Sequence, residues 1–82
     1  MLNAKTSRAA RGLLDWTQTQ LAERAGVSLS TVRDFENENR EARAANVAAM
    51  EKALRSAGIE FLNGGSPGVR LRPKRSKGKQ SA

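Results

Sequence analysis

Residues 18–37 read QTQLAERAGVSLSTVRDFEN, and this pattern predicts two short helices joined by a sharp turn. Gly26 stands between the two periodic segments, where the backbone needs a positive φ. The apolar residues on either side recur at the i,i+3 and i,i+4 separations that bring two helix faces together: Leu21, Ala22, Ala25, Val27, Val32 and Phe35. This is the spacing of a helix-turn-helix unit.

Each helix of the pair has its own start signal. Thr17 followed by Gln20 is a capping box for a helix over residues 18–25, and Ser28 is the N-cap of a helix over residues 29–37. In such a unit the second helix docks in the major groove of DNA. The outward-facing residues that would reach base edges are Leu29, Ser30, Arg33 and Asp34. An ordinary helical hairpin that never meets nucleic acid is the alternative.

The amino-acid composition excludes several classes of function. The 82 residues suffice for one domain with a small core, and they include no Cys and no His. Disulfides, the usual nucleophile–base pairs and most transition-metal sites are therefore excluded, so we expect no enzyme, no catalytic residue, no metal and no cofactor. With no apolar run of signal-peptide or membrane-span length, we expect a cytoplasmic, nucleoid-associated protein without a membrane or a small-molecule substrate as partner.

The net charge of +7 is concentrated at one end of the chain. Residues 1–69 hold nine Lys and Arg against eight Asp and Glu, which gives +1, while residues 70–82 hold six basic residues and no acidic one. From Pro73 onward the sequence is too polar and charged to fold, so residues 73–82 are expected to form a disordered basic tail. The tail would add affinity for phosphates or only aid solubility.

The remaining segments predict two further helices. The first, over about residues 6–14, would bury Ala9, Ala10, Leu13 and Leu14 and be capped by Asn3, Thr6 or Ser7, with Trp16 entering the core just after it. The fourth, over about residues 44–57, ends at Gly58 and presents one apolar face: Val47, Met50, Leu54 and Ala57.

A β-hairpin is predicted over residues 59–72, because apolar residues there alternate with charged ones on both sides of the turn NGGSPG. A two-stranded hairpin is marginal alone, so this one packs on the helices or pairs with another subunit. The second possibility argues for a dimer, whose candidate contacts are Ile59, Phe61, Val69 and Leu71.

Residues 8–61 resemble the Cro/C1-type (XRE) helix-turn-helix regulators of bacteria, phages and mobile elements, most specifically in the segment WTQTQLAERAGVS. The following GGSPGVRLR resembles a C-terminal extension of some small members. The resemblance implies a mainly α domain of four or five helices, here over residues 1–62, that binds operator DNA, usually as a dimer and usually as a repressor.

Site residues carry over from the resemblance position by position. Gln18 matches the family's phosphate-binding glutamine, and Arg11 and Glu36 match an ion pair that joins the first helix to the third. Leu29 departs from the usual Gln or Arg, and Asp34 would repel phosphates unless it accepts from a cytosine or pairs with Arg33. The expected phosphate contacts are Gln18, Ser28, Thr31, Asn37, Arg40 and Arg43, although Arg40 and Arg43 can equally pair with Glu38 and Glu41.

The sequence thus predicts a homodimeric repressor that reads a palindromic operator with the helix over residues 29–37. Two alternatives stay open. One is a protein-interaction module on the same fold, an antitoxin or antiactivator that binds another regulator. The other is non-specific coating of nucleic acid by the basic tail.

Overall fold

The computed structural model of the chain describes residues 2–38, 42–62 and 68–72. Over these residues the chain forms four helices and one antiparallel hairpin, which confirms the mainly helical fold with a C-terminal hairpin. The expected tail, Arg40 and most of the hairpin turn lie outside the described residues. In chain order the elements are α1 (Ala4–Leu14), α2 (Gln18–Ala25), α3 (Leu29–Asn37), α4 (Ala44–Ser56), β1 (Ile59–Leu62) and β2 (Gly68–Leu71).

The first helix differs from its sequence prediction in two respects. It begins at Ala4, because Asn3 and Thr6 form a capping box, and this extends the helix by two residues. Its buried side carries Ala4, Ser7 and Ala10, with Leu14 partly buried against the core. The prediction that Ala9 and Leu13 face inward was wrong, since both are exposed.

The core draws on every helix and on β1. Leu21 of α2, Val32 of α3, Met50 and Leu54 of α4, and Ile59 of β1 are fully buried, and Ala10 contributes from α1. Trp16 is partly buried and packs against this cluster. No helix among the described residues is both long and apolar enough to cross a membrane.

The hairpin packs onto the helices of its own chain. Ile59 pairs with Leu71 and Phe61 with Val69, which places these four side chains on one face of the ladder. β2 packs against α1 and β1 against α4, and the ladder continues one step further through a 2.8 Å bond from the Arg72 N–H to the Gly58 carbonyl. The hairpin therefore covers the core of the monomer.

The turn between α2 and α3 depends on one glycine. Gly26 has φ +73° and ends α2, donating its N–H to carbonyls of the last turn, and the Val27 N–H returns to the Ala22 carbonyl at 3.0 Å. This is the left-handed cap with which many helices end. It reverses the chain so that α3 starts directly at its own cap, Ser28.

A comparison of Gly26 with Gly12 isolates the free-energy cost of the positive φ in this turn from any steric effect of an added methyl group. A methyl group added at Gly26 or at Gly12 of α1 meets no atom within 4 Å, so the two sites differ in backbone conformation and not in space. We expect Gly26→Ala to destabilise the fold by about 1–2 kcal/mol, because φ is positive there. Gly12→Ala should stabilise it by about 0.5–1 kcal/mol, since the site is helical.

Urea unfolding of the two variants beside the wild-type protein measures both free energies. Equal effects of the two substitutions would contradict the role assigned to Gly26.

Candidate nucleic-acid interface

One side of α3 is exposed because the other side belongs to the core. Val32 is fully buried and Phe35 packs against the core cluster, so the residues between them are directed away from it. Ser30 and Arg33 are exposed, while Leu29 and Asp34 are partly buried. Among the described residues, no hydrogen bond or ion pair engages the Arg33 guanidinium, which leaves its donors available to a ligand.

The start of α3 carries two hydroxyl groups that contact each other. The Ser28 Oγ accepts the Thr31 N–H at 3.1 Å and lies 2.9 Å from the Thr31 Oγ1. The bond from the backbone is a helix cap and holds the first turn of α3 in place. One hydroxyl proton of the pair remains free to donate outward, as a phosphate contact requires.

A polar groove of about 400 Å³ separates α3 from the start of α4. It is lined by Ser30, Thr31 and Asp34 on one side and by Arg43 and Asn46 on the other. Arg43 is the N-cap residue of α4, and its side chain makes no capping hydrogen bond, so the groove is lined by residues at the positive end of this helix dipole. The structure thus brings Arg43 beside the expected base-reading residues.

Asn46 was missed by the sequence analysis. It lies in the first turn of α4, one turn after Arg43, and its side chain lines the groove beside α3. A polar residue in the first turn of a helix is a weak signal in sequence alone, because most such residues face solvent. Only the packing of α4 against its neighbours places it next to α3.

Gln18, the expected phosphate contact, also makes a hydrogen bond within the protein. It is partly buried at the start of α2, and its Nε2 donates to the Glu36 Oε1 at 3.1 Å. The capping box of α2 uses the N–H groups of Thr17 and Gln20. One amide proton of Gln18 and the first-turn N–H groups that the capping box does not use, those of Gln18 and Thr19, are left for an anion, which suits a phosphate at a helix N-terminus.

The Glu36 carboxylate joins three helices. Its side chain is fully buried in α3, and it accepts from Ser7 Oγ at 2.5 Å and from Arg11 Nε at 2.9 Å on one oxygen. The other oxygen accepts from Arg11 at 2.7 Å and from Gln18. Four donors from α1 and α2 therefore satisfy the carboxylate, and the Arg11–Glu36 ion pair lies at the centre of this network.

The network also holds the end of α3. Arg8 of α1 donates to the Glu36 carbonyl, and the Arg11 guanidinium donates at 3.0 Å to the Trp16 carbonyl. The last turn of α3 is thereby tied to α1 and to the corner that leads into α2. The contribution of Ser7 and Arg8 was not predicted, because their partners lie 28 or 29 residues away in sequence.

The protonation of Glu36 follows from these contacts. Burial acts to raise the pKa of Glu36, but hydrogen bonds from Arg11, Ser7 and Gln18 and the positive charge of Arg11 outweigh it. The pKa of Glu36 consequently lies below its ordinary value of 4.5, and the carboxylate is charged at neutral pH.

The other expected site residues are scattered by the fold. Asn37 is exposed at the end of α3, beyond the groove residues, and Arg40 lies outside the described residues. Of the four dimer candidates, Ile59 is 1% exposed and belongs to the core, and Phe61 and Val69 pack against it. Leu71, with an exposure of 39%, is the most accessible of the four.

The chain matches the model of a known protein family. A family model described as helix-turn-helix matches residues 8–61, about two thirds of the chain, from the middle of α1 to β1. The GGSPGVRLR segment lies beyond that match. No curated protein matches the chain.

The lowered pKa of Glu36 makes stability depend on pH. As pH falls below about 4.5, the unfolded chain binds the proton before the folded one, so stability is lost until Glu36 is protonated in both. We expect Glu36→Gln to cost about 3–5 kcal/mol at pH 7, because it leaves the Arg11 charge without its partner. The difference from wild type should shrink steadily between pH 5 and pH 3, by about the size of the pKa shift.

Urea unfolding of both proteins at several pH values measures this difference. Glu60→Gln is the control, since the Glu60 carboxylate is partly exposed on the hairpin and, among the described residues, its ion pairs are those with Arg70 and Arg72. A difference between Glu36→Gln and wild type that does not change with pH would show that the charge of Glu36 does not stabilise the fold.

Proposed function

Because the chain belongs to the Cro/C1-type (XRE) helix-turn-helix family of DNA-binding regulators, we propose that it is a homodimeric repressor that reads a palindromic operator with α3. In this proposal α3 lies in the major groove, and Leu29, Ser30, Arg33 and Asp34 face the base edges. Phosphates on either side contact Gln18, Ser28, Thr31, Asn37 and Arg43, with Arg40 as a further candidate from the sequence.

The observation that carries the proposal is the way α3 is held. The buried Glu36 carboxylate ties its last turn to α1 and α2, and the Ser28 cap orders its first turn. Arg33 lies between these two anchors with no partner among the described residues. A guanidinium without a partner, on a rigidly held helix, is well placed for a bidentate contact with guanine.

Three of the positions on α3 then contact different chemical groups of the bases. Arg33 donates to a guanine, the partly buried Leu29 contacts a thymine methyl group, and Asp34 accepts from a cytosine amino group. Arg43 and Asn46, across the groove from Ser30, contact the sugar-phosphate backbone and fix the register of α3.

A dimer would place two copies of α3 in successive major grooves. The half-sites of the operator should then lie about 10–11 base pairs apart, or that distance plus whole turns. Selection of random DNA fragments by the purified protein at physiological salt, with competitor DNA and sequencing of the retained fraction, tests this directly. A two-fold symmetric motif supports the proposal, and retention without any motif would favour binding by the basic tail.

Two substitutions separate base reading from phosphate binding. We expect Arg33→Ala to weaken operator binding by about 1–3 kcal/mol and to relax preference at one base pair, with little change on random DNA. Gln18→Ala should weaken binding to all sequences alike, because it removes a phosphate contact.

Arg33→Lys is the matched control, since it keeps the positive charge but loses the bidentate geometry. Fluorescence anisotropy on operator and random duplexes measures the affinities, and unfolding curves verify that each variant is folded. Equal losses on both duplexes for Arg33→Ala would exclude base reading by Arg33.

The dimer has a candidate contact on the hairpin. Leu71 is 39% exposed at the end of β2, and Leu62 is 41% exposed at the end of β1. If the hairpin joins two subunits, Leu71→Glu should shift the protein to a monomer by burying a charge in the interface. Leu13→Glu is the matched control, because Leu13 is 44% exposed on α1.

Sedimentation equilibrium of the two variants and the wild-type protein gives the oligomeric state. A wild-type dimer that persists in Leu71→Glu but dissociates in Leu13→Glu would move the interface to α1. A monomeric wild-type protein that still selects a single half-site would contradict the homodimer while leaving DNA binding intact.

A second candidate function is that of a protein-interaction module, such as an antitoxin or antiactivator. It is supported by the charge of only +1 over residues 1–69 and by an acidic residue, Asp34, on the expected reading face. Tight 1:1 association with another regulator, together with no selected DNA motif, would favour it over the repressor.

A further inference from the structure

Two grooves lie along α4, away from α3. The first, of about 450 Å³, lies between α4 and the end of α2 and is lined by Trp16, Arg24, Ala49 and Ala53. The second, of about 520 Å³, lies on the other side of α4, where Val47 and Ala48 are among the lining residues. Lys52 and Ser56 line both grooves. We call these two grooves with their shared ridge the α4 surface.

The α4 surface is separate from the expected DNA contacts. None of its residues is among those assigned to bases or phosphates, and Arg24 lies at the opposite end of α2 from Gln18. Six residues of helix separate these two side chains by about 9 Å along the axis. A partner on the α4 surface therefore does not need the face that α3 presents.

The walls of both grooves are apolar and shallow. Trp16 and the methyl groups of Ala49 and Ala53 line the first, and Leu2, Val47 and Ala48 line the second. Small side chains on α4 allow another backbone to approach closely, with larger side chains of the partner filling the grooves. This is how the ridges of one helix fit the grooves of another.

The charges around the α4 surface are positive and largely without partners. The Arg24 guanidinium carbon lies 5.0 Å from the centre of the Trp16 ring, and no acidic group among the described residues contacts Arg24 or Lys52. Arg55 provides the contrast, since it lies 4.8 Å from the Phe61 ring but pairs with Glu51 at 3.0 Å. The Arg55 charge is neutralised, and those of Arg24 and Lys52 are not.

Glu51, the acidic residue that lines the second groove, is already satisfied. It accepts from Arg55 Nε at 3.0 Å and from the Leu2 N–H at 3.2 Å. Burial acts to raise the pKa of Glu51, but these hydrogen bonds outweigh it and hold the pKa below its ordinary value. The α4 surface therefore presents two uncompensated cations beside apolar walls.

We propose that the α4 surface binds an acidic amphipathic helix of a partner protein. Apolar side chains of the partner would enter the two grooves on either side of the Lys52–Ser56 ridge, and carboxylates at the edge of its apolar face would meet Arg24 and Lys52. A guanidinium held over an indole ring keeps its in-plane donors free for a bidentate contact with a carboxylate. Helix-in-groove binding of this type uses apolar anchors at i, i+3, i+4 and i+7.

Charge complementarity decides against a second copy of the chain as the occupant. A two-fold interface sets the same patch of both subunits against each other. On the α4 surface this would bring Arg24 and Lys52 close to their symmetry equivalents, and among the described residues that line the two grooves no unpaired acidic group offsets them. Like charges across an interface oppose association.

The single Trp of the chain reports on the first groove. The probe is a Trp-free helical peptide of about 18 residues with Leu at i, i+3, i+4 and i+7 and Glu beside them, long enough to form a helix. Two companion peptides replace every Glu by Lys or every Leu by Ser. Titration follows Trp16 fluorescence and, independently, the anisotropy of a fluorescein-labelled peptide.

Saturable binding of the Glu/Leu peptide is expected, with little binding of the two companions. Lys52→Glu should raise the Kd at least about tenfold. Lys5→Glu is the matched control, because Lys5 is exposed on α1 and the charge change is identical. On a variant that combines Arg24→Glu with Lys52→Glu, the Lys/Leu peptide should now bind better than the Glu/Leu peptide.

Three results would overturn the proposal. The first is no binding of the Glu/Leu peptide, or an equal effect of Lys52→Glu and Lys5→Glu. The second is dissociation of a wild-type dimer by Lys52→Glu in sedimentation equilibrium, which would make the α4 surface an interface between copies. The third is saturation of the Trp16 signal by benzoate without peptide binding, which would indicate a small-molecule site. None of these measurements involves DNA, so they are independent of the proposed operator binding.

Discussion

The buried carboxylate of Glu36 is the constraint on which the arrangement of the helices depends. A buried charge is tolerated only when it is paired and hydrogen-bonded, and Glu36 meets this condition through Ser7, Arg11 and Gln18. Because these donors come from α1 and α2, the three helices can satisfy the carboxylate only in one relative orientation. Apolar contacts among Ala and Leu side chains are not directional, so on their own they would allow several relative orientations of the helices.

The same constraint bears on the exposed face of α3. The helix is anchored at its end by Glu36 and at its start by Ser28 and the turn at Gly26, and the residues available to a ligand lie between these points. Gln18 links the Glu36 network to the expected phosphate site, because it is the first residue of α2 and its amide donates to Glu36. A contact made by Gln18 to a phosphate would thus be made by a side chain whose position is already determined by the core.

Features with local causes were predicted correctly from the sequence. The capping box of Thr17 and Gln20, the Ser28 cap and the positive φ of Gly26 each depend on residues within a few positions of one another. The buried side of α1 was predicted only in part: Ala10 and Leu14 do face the core, but Ser7 was missed, because its burial depends on Glu36, 29 residues away in sequence. Periodicity favoured Leu13 over Ser7 as an inward residue, whereas a hydrogen bond to a buried carboxylate reversed that preference. Asn46 was missed for the same reason, since only tertiary packing brings α4 beside α3.

The hairpin shows how a marginal element can be stable within one subunit. Ile59 enters the core with the side chains of α4, and β2 packs on α1, so the inner face of the hairpin is covered except at Leu71. On the outer face Glu60 pairs with Arg70 at 2.5 Å and with Arg72 at 3.5 Å, and charges in these positions discourage pairing with further strands. Among the described residues of the hairpin, the large apolar side chains that are exposed are Leu62 and Leu71 at the strand ends. A second subunit joined through the hairpin would therefore meet these ends, since in the middle of the ladder the inner face packs on the helices and the outer face carries the Glu60 ion pairs.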